Sequence, residues 1–498
     1  MNGTRVQVLR DIDAWITNPK APQIFWLTGM MGSGKSAVAC TVCSCTHASS
    51  LMVLGGSFFC SRSTGISAQR DVRCIVPTLA QLLARQSAEF SRALAAELTR
   101  DPDILHLKVT AQVEHLLYKP LLSLSNSTIP IVFVIDALDE CGVYGASDDT
   151  ESHRLVSDIL EALVAFSRYP VRLPVKFLVT SRPETHIRDT PVSDPEFSKI
   201  LQLHTVDKQQ VSADIRFYIS NRLTSGPKLC TLFTAGDVYT LSQLCDGLFI
   251  VAATALEFIL STGVDRAAVR FAMLLNSARD GPSTGITEPL DRMYALILTE
   301  AAKVGKPDTS GLPDLLHILS SLLSTRMTLS VAALAELMDL PSAHLRASMS
   351  HLHAVVHVPD DETEPGLRTL HASFGDYLFG RAPSSFRITA SLGHDILARA
   401  CLRMMVKRLR FNVSNSRSSY AENLSTSQSS IPLSLEYACL QWAHHVADLP
   451  EALALDEPIN AIFLPRFLFW LEVLSVLKRV SRAAAMLIIT SSIVSTCS

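Results

Sequence analysis

Gly29-Met-Met-Gly-Ser-Gly-Lys-Ser36 sets three glycines, a lysine and a hydroxyl in the spacing GxxxxGKS. Glycines at those positions let the main chain turn tightly so that consecutive N–H groups point inward. A helix beginning directly afterwards adds the positive end of its dipole. Such a loop cradles phosphate. Lys35 would reach the β- and γ-phosphates as a point charge, and the Ser36 hydroxyl would ligate Mg²⁺. The candidate nucleotide-binding residues are therefore Gly29, Gly32, Ser33, Gly34, Lys35, Ser36 and Ala37, with ATP or GTP as the cofactor. The spacing does not choose the base.

Magnesium beside a polyphosphate needs a carboxylate at the end of a neighbouring buried strand. Ile131–Ile135 runs straight into Asp136-Ala-Leu-Asp139-Glu140, which puts acids where open α/β sheets bind ligands. Asp136 is the expected metal-holding residue, directly or through water. Asp139 or Glu140 would orient the attacking water, the alternative for both being a solvated turn or a helix N-terminus. A third apolar run ends in Thr180-Ser-Arg-Pro183. There Arg182 is either a γ-phosphate sensor or an ordinary surface ion-pair residue.

Elements must hold these groups together. Short apolar runs at Gln23–Thr28, Met52–Phe59, Ile131–Ile135, Lys176–Thr180 and Lys199–Leu203 alternate with helical patterns. Their continuous rather than alternating apolarity predicts strands of a parallel sheet buried on both faces, the α/β architecture. After Leu203 the texture turns helical. Asp207 and Gln210 form a capping-box pattern, and Val211, Ile215, Ile219 and Leu223 recur on one helix face. Helical stretches are predicted at Leu241–Leu260 and Leu290–Thr299, with a loop at Asp280–Pro289 between them. Helices at Leu315–Leu323, Ser330–Met338 and Ser342–Leu352 precede a strand at Ala354–Val358, a turn, and a strand ending near His371. Three helices and a hairpin make a winged-helix pattern. The chain beyond is helical, with a Ser-rich loop at Asn412–Ser430. The predicted division is an α/β domain over 1–205, a helical domain over 206–310, a winged-helix domain over 311–385 and a helical region over 386–498, poorly ordered after about 480.

The whole chain has 498 residues, 48% hydrophobic and 18% charged, enough for two to four domains and too apolar for disorder. A net charge of -3 provides no positive field for a phosphate backbone or an anionic membrane, and Ser342–Leu352 offers a DNA groove only Arg346. Nucleic acid is not an expected partner. The eleven cysteines are an odd, scattered set, and Met1–Lys20 has no signal-peptide core, so a reducing, cytoplasmic setting is expected. Charges or prolines interrupt every apolar run before the roughly 20 residues that a membrane span needs, which leaves no expectation of stable membrane insertion. Cys40, Cys43 and Cys45 lack partner ligands for zinc and are expected to be buried small residues. His351, His353 and His357 likewise have no local carboxylate cluster before the turn acids.

These elements in this order, with Asp136-Ala-Leu-Asp-Glu140 and Thr180-Ser-Arg-Pro183, closely resemble the NACHT branch of the signal-transducing (STAND) P-loop NTPases. More narrowly, they resemble a fungal group with a nephrocystin-like N-terminal module. Gly55-Gly-Ser-Phe-Phe-Cys-Ser-Arg62, Pro77–Leu83, Asp246–Ile250 and His371–Leu378 support the likeness. The resemblance implies a switch in which nucleotide sits between the α/β, helical and winged-helix domains and slow hydrolysis or exchange releases the closed form. It also implies self-association through the NTPase module and an unidentified protein effector, and makes His371 a β-phosphate contact of the closed state. Gly247-Leu248-Phe249 stands where related families carry a proline. Such proteins usually have an effector domain ahead of the module and a repeat array behind it. Neither is in this sequence, which fits a stand-alone module, a truncated gene model or a decayed copy, and leaves a non-hydrolysing nucleotide-bound scaffold as the alternative.

Overall fold

The computed structural model describes residues 3–48, 51–61, 69, 71–142, 149–190, 192, 194–224, 232–261, 263–279, 288–304, 311–415, 431–449, 459, 462 and 465–494. Two compact units divide the chain, one up to Leu290 and the other from Asp291.

Five strands of the first unit, β1 (Ile24–Thr28), β2 (Val53–Phe59), β3 (Ile131–Asp136), β4 (Val175–Ser181) and β5 (Ser198–Gln202), form a parallel sheet in the order β2-β3-β4-β1-β5. The five runs read from sequence are these strands, each within a residue or so of its expected ends. Burial on both faces holds completely for β1, β3 and β4. It is corrected for β2 and β5, which are the sheet edges and are partly exposed. Alternate residues of one strand feed two separate cores. Ile24 and Trp26 join a core with the helices Ile75–Gln86 and Asp149–Ser167. Phe25 and Leu27 face α1 (Val6–Thr17) and α2 (Lys35–Ala48), packing with Ile12, Trp15, Val38 and Val42. Two apolar faces on one strand explain why the sequence shows no period of two.

The helical continuation follows the expected faces. Val211, Ile215, Ile219 and Leu223 are all buried along the helix Lys208–Thr224. Asp207 caps it by accepting from the Gln209 amide (3.0 Å). The complete capping box lies instead at Thr234 and Asp237, opening the helix Ala235–Leu244. The helical stretch expected over Leu241–Leu260 consists of the end of one helix and the whole of a second, because Asp246 and Gly247 take left-handed backbone (φ 42° and 77°) before Phe249–Leu260 begins. Leu248 donates its amide to Cys245 O (2.8 Å), closing the turn.

In the second unit, helices Gly311–Ser324, Val331–Leu337 and Ser342–Met349 precede a short antiparallel pair, Val356–His357 (β6) with Arg368–Thr369 (β7). Arg346 is turned onto this hairpin, meeting Glu362 at 3.1 Å and the carbonyls of Pro359 and Asp360. Long helices follow at Ala390–Arg408 and Leu433–Ala447. Residues 280–287 of the expected loop and 416–430 of the Ser-rich stretch lie outside the described residues, and Pro289 belongs to the first turn of the helix Glu288–Val304. Where a fraying tail was expected after about 480, Arg482–Val494 is a helix with Ala483, Met486 and Thr490 buried. Small apolar residues give that helix a packing face that composition alone concealed. Among the described residues no helix is long and apolar enough to cross a membrane.

Candidate functional site

The loop between β1 and α2 carries Gly29 to Gly34, with Gly32 and Gly34 at φ 73° and 94°, values that favour glycine. Lys35 and Ser36 open α2, so their amides belong to the first turn, where N–H groups have no intrahelical acceptor. Lys35 is buried, and its Nζ donates to Gly29 O (2.7 Å) and Met30 O (3.1 Å). Burial lowers its pKa, while Asp139, Asp136 and Glu140 pull it back up. A cation held against two carbonyls inside an amide-lined loop is a donor set suited to anionic oxygens. The Ser33 hydroxyl beside it is buried without a hydrogen-bond partner among the described residues.

β1 and β3 are not neighbours, since β4 lies between them. Two strand spacings, about 10 Å, separate the loop's strand from the strand of Asp136. The gap is bridged from both sides. Thr180 on β4 donates its hydroxyl to Asp136 Oδ1 (2.6 Å) and accepts from the Ala137 amide (2.9 Å), and the Ser36 side chain is near enough to act on the same carboxylate. Burial pushes the Asp136 pKa up, and those two hydroxyls with Lys35 counter it. The Ser36–Asp136 pair presents one hydroxyl and one carboxylate together, the oxygen set a hard divalent cation takes.

Ala137 turns with φ 53°, and the short turn Leu138–Glu140 follows. Asp139 is a buried ion-pair partner, unlike the solvated turn considered above. Its Oδ1 accepts from the Arg182 amide (2.9 Å) and its Oδ2 meets Arg182 Nε at 3.1 Å. Arg182 Nη2 lies 3.9 Å from Glu140 Oε1. Next in sequence, the Cys141 thiol contacts the buried Cys60 sulfur at 2.7 Å. Arg182→Ala should therefore cost about 2–3 kcal/mol by withdrawing a guanidinium from a buried carboxylate, less than a full burial penalty because the Arg182 amide stays. Urea unfolding would measure it, and an unchanged midpoint would refute the pairing.

Sequence reasoning passed over Arg5. It sits at φ 54°, donates its amide to Asp214 Oδ2 (2.9 Å) and sends Nη2 to Ser33 O (2.9 Å). The Phe249 ring lies 5.2 Å beneath its guanidinium. Only its place in the N-terminal charge pattern was a signal, and a lone arginine there reads as surface. The Gly247-Leu248-Phe249 segment reaches the loop by another route than a proline, the Ile250 amide donating to Gly32 O (3.3 Å). Beside the loop opens a cavity of about 650 Å³ lined by Arg5, Met30, Ser33, Val206, Gly247 and Leu248 among others, within the size range of small-molecule sites.

Ala37 follows Ser36 on α2 and lines the small hollow by Arg5 and Phe249. His371 lies in the second unit, where it caps the helix Ala372–Asp376: Nδ1 accepts from the Ser373 amide (3.1 Å) and meets the Ser373 hydroxyl (2.6 Å). Accepting at Nδ1 places the proton of the neutral ring on Nε2. Cys40 and Cys45 are exposed and Cys43 is half-buried on α2, correcting the expectation of burial. Val38, Ala39, Val42 and Thr46 take the inward face, which leaves Cys40 and Cys45 on the outer side and Cys43 at the edge of the core.

No curated protein matches this chain. Solved structures do, among them a Signal Transduction ATPase with Numerous Domains from Pyrococcus horikoshii that carries a tetratricopeptide repeat sensor. The identity is 11% and the TM-score 0.39, the match covering 99% of this chain and 64% of that one. This chain thus spans under two thirds of that structure's length. Residues 3–182 match the model of the family described as Nephrocystin 3, N-terminal, and it is to this NACHT-like group of P-loop modules that the first part of the chain is similar.

Proposed function

We propose that the chain is a nucleotide-operated signalling switch of the cytoplasm, binding ATP or GTP with Mg²⁺ and hydrolysing it slowly. The single observation that carries this reading is the buried Lys35, whose ammonium is held against the carbonyls of Gly29 and Met30 inside a glycine loop that opens a helix. Gly29 to Ala37 would hold the phosphates, with Lys35 exchanging two carbonyls for phosphate oxygens. Ser36 and Asp136 would hold the magnesium, which when bound supplies charge neutralisation at the phosphate oxygens. Asp139 keeps Arg182 in place, and Glu140 is left as the group to orient water. Arg182 is the phosphate sensor and His371 the contact of the closed state. The four-part division at 205, 310 and 385, with a winged helix third, belongs to the same proposal, as do self-association through the NTPase module and a protein effector.

A scaffold that holds nucleotide without turnover has one observation in its favour, namely that Arg182 already engages Asp139 and approaches Glu140. Phosphate release by the purified protein separates the two readings. The wild type should release phosphate slowly, Glu140→Gln at least about tenfold more slowly with nucleotide still bound, and Lys35→Ala not at all. Bound nucleotide without release by the wild type selects the scaffold.

A further inference from the structure

His153, Glu184 and His186 offer ligand atoms that all lie within 4.8 Å of one another. His153 is on the helix Asp149–Ser167, Glu184 immediately precedes the short helix Thr185–Arg188, and His186 is within it. The two imidazoles lie parallel, with centroids 4.0 Å apart and 16° between planes, and Glu184 Oε2 stands 3.6 Å from His186 Nδ1. The scaffold beneath is fixed. The Ser157 hydroxyl contacts both His153 O (3.0 Å) and His186 O (3.1 Å), tying the two backbones that carry the rings. Ile187, Val156 and Leu160 are buried in one core under the cluster. Two rings and a carboxylate are thus brought together by elements more than thirty residues apart in sequence, His153 exposed and Glu184 and His186 partly buried.

We propose that His153, Glu184 and His186 form a binding site for a divalent transition-metal ion of the zinc class. Two neutral imidazoles and one carboxylate are the borderline donors such ions prefer over magnesium or calcium, which take oxygen. The Glu184 charge offsets part of the ion's charge, and exposure of His153 leaves the remaining coordination positions to water. Ligation pins the start of a long helix to the segment that follows β4. That segment is continuous with Arg182, so the ion braces the chain two residues from the contact with Asp139 and Glu140. The site is separate in chemistry from the Ser36–Asp136 oxygen pair and does not depend on the nucleotide reading.

Titration of the full chain with Zn²⁺ by calorimetry, and with Co²⁺ by visible absorption, tests the site. The wild type should bind one ion tightly and give a cobalt spectrum of nitrogen and oxygen ligands without a thiolate charge-transfer band. His153→Ala, on an exposed position where folding is not at stake, and His186→Gln should each weaken binding at least about tenfold, as loss of one ligand does. Lys35→Ala should leave zinc affinity unchanged. Failure of the wild type to bind, a thiolate band, or full binding by both histidine variants overturns the proposal.

Discussion

Lys35→Ala should lower the affinity for ATP and for ADP by at least about 100-fold, from loss of two or more charge-assisted hydrogen bonds worth roughly 1.5–3 kcal/mol each. Fluorescent-nucleotide titration measures it. Loss of the fold is a separate outcome, which the same residue's burial lets a second variant test. Burial lowers the Lys35 pKa, so the charged ammonium in the free protein is held at a cost that its two carbonyl contacts and the nearby acids only partly offset. Lys35→Met keeps the aliphatic stem and removes that cost, and without nucleotide its thermal midpoint should be no lower than the wild type's. The pH dependence has a definite sign. Phosphate favours the charged lysine, so bound nucleotide raises the Lys35 pKa above its lowered free value. Affinity should then fall as pH rises through that free value, sooner than an exposed lysine would allow. Proton uptake on binding at alkaline pH, absent in Lys35→Met, is the calorimetric signature. Equal affinity of wild type and both variants would remove Lys35 from the site.

What could be read in the letters were the features whose chemistry is local. The glycine spacing sets its own backbone angles, and an apolar run ending in an acid marks a buried strand with a charge at its tip, so the loop, Asp136 and all five strands were legible. Contacts made across the sheet were not. That the Thr180 hydroxyl bonds Asp136 follows from β4 lying beside β3, between it and β1, and strand order is not written in any one segment. Arg5 was invisible because its partners, Ser33, Asp214 and Phe249, are 28 to 244 residues away. The histidine pair failed the same way: His351 and His357 are close in sequence and drew attention, whereas His153 and His186 meet only because a helix returns alongside the strand end. The exposed thiols of α2 were misjudged from composition, since cysteine is usually buried while helix phase decides which face it takes. Within the helical stretch over Leu241–Leu260 the left-handed pair Asp246 and Gly247 was not legible, because periodicity records the face and not the turn.

The contact between the glycine loop and the helix Phe249–Leu260 yields the sharpest steric prediction. A Cβ added at Gly32 would stand 2.0 Å from Ile250 Cγ2 and 2.8 Å from Ile250 Cβ, at φ 73°. Left-handed backbone alone costs a non-glycine residue about 1–2 kcal/mol, and the overlap adds an overpacking penalty of roughly 1–3 kcal/mol. Gly34 has the same kind of backbone, φ 94°, but its added Cβ would meet nothing nearer than Phe249 Cδ2 at 3.8 Å. Gly32→Ala should therefore destabilise by about 3 kcal/mol or more and Gly34→Ala by about 1–2, the difference being the clash. Ile250→Ala removes the obstructing branch, so the double variant Gly32→Ala/Ile250→Ala should recover at least about 1 kcal/mol relative to additivity. Urea midpoints of the four proteins give the coupling directly, and a coupling near zero would show that the loop does not rest on Ile250. The same overlap has a consequence for ligand binding. The Gly32 carbonyl accepts from the Ile250 amide, so any shift of the loop toward phosphate is resisted or transmitted by the start of this helix. Gly32→Ala should lower nucleotide affinity in step with its destabilisation. Restoration of both by Ile250→Ala would identify this helix as the element that registers whether the loop is filled.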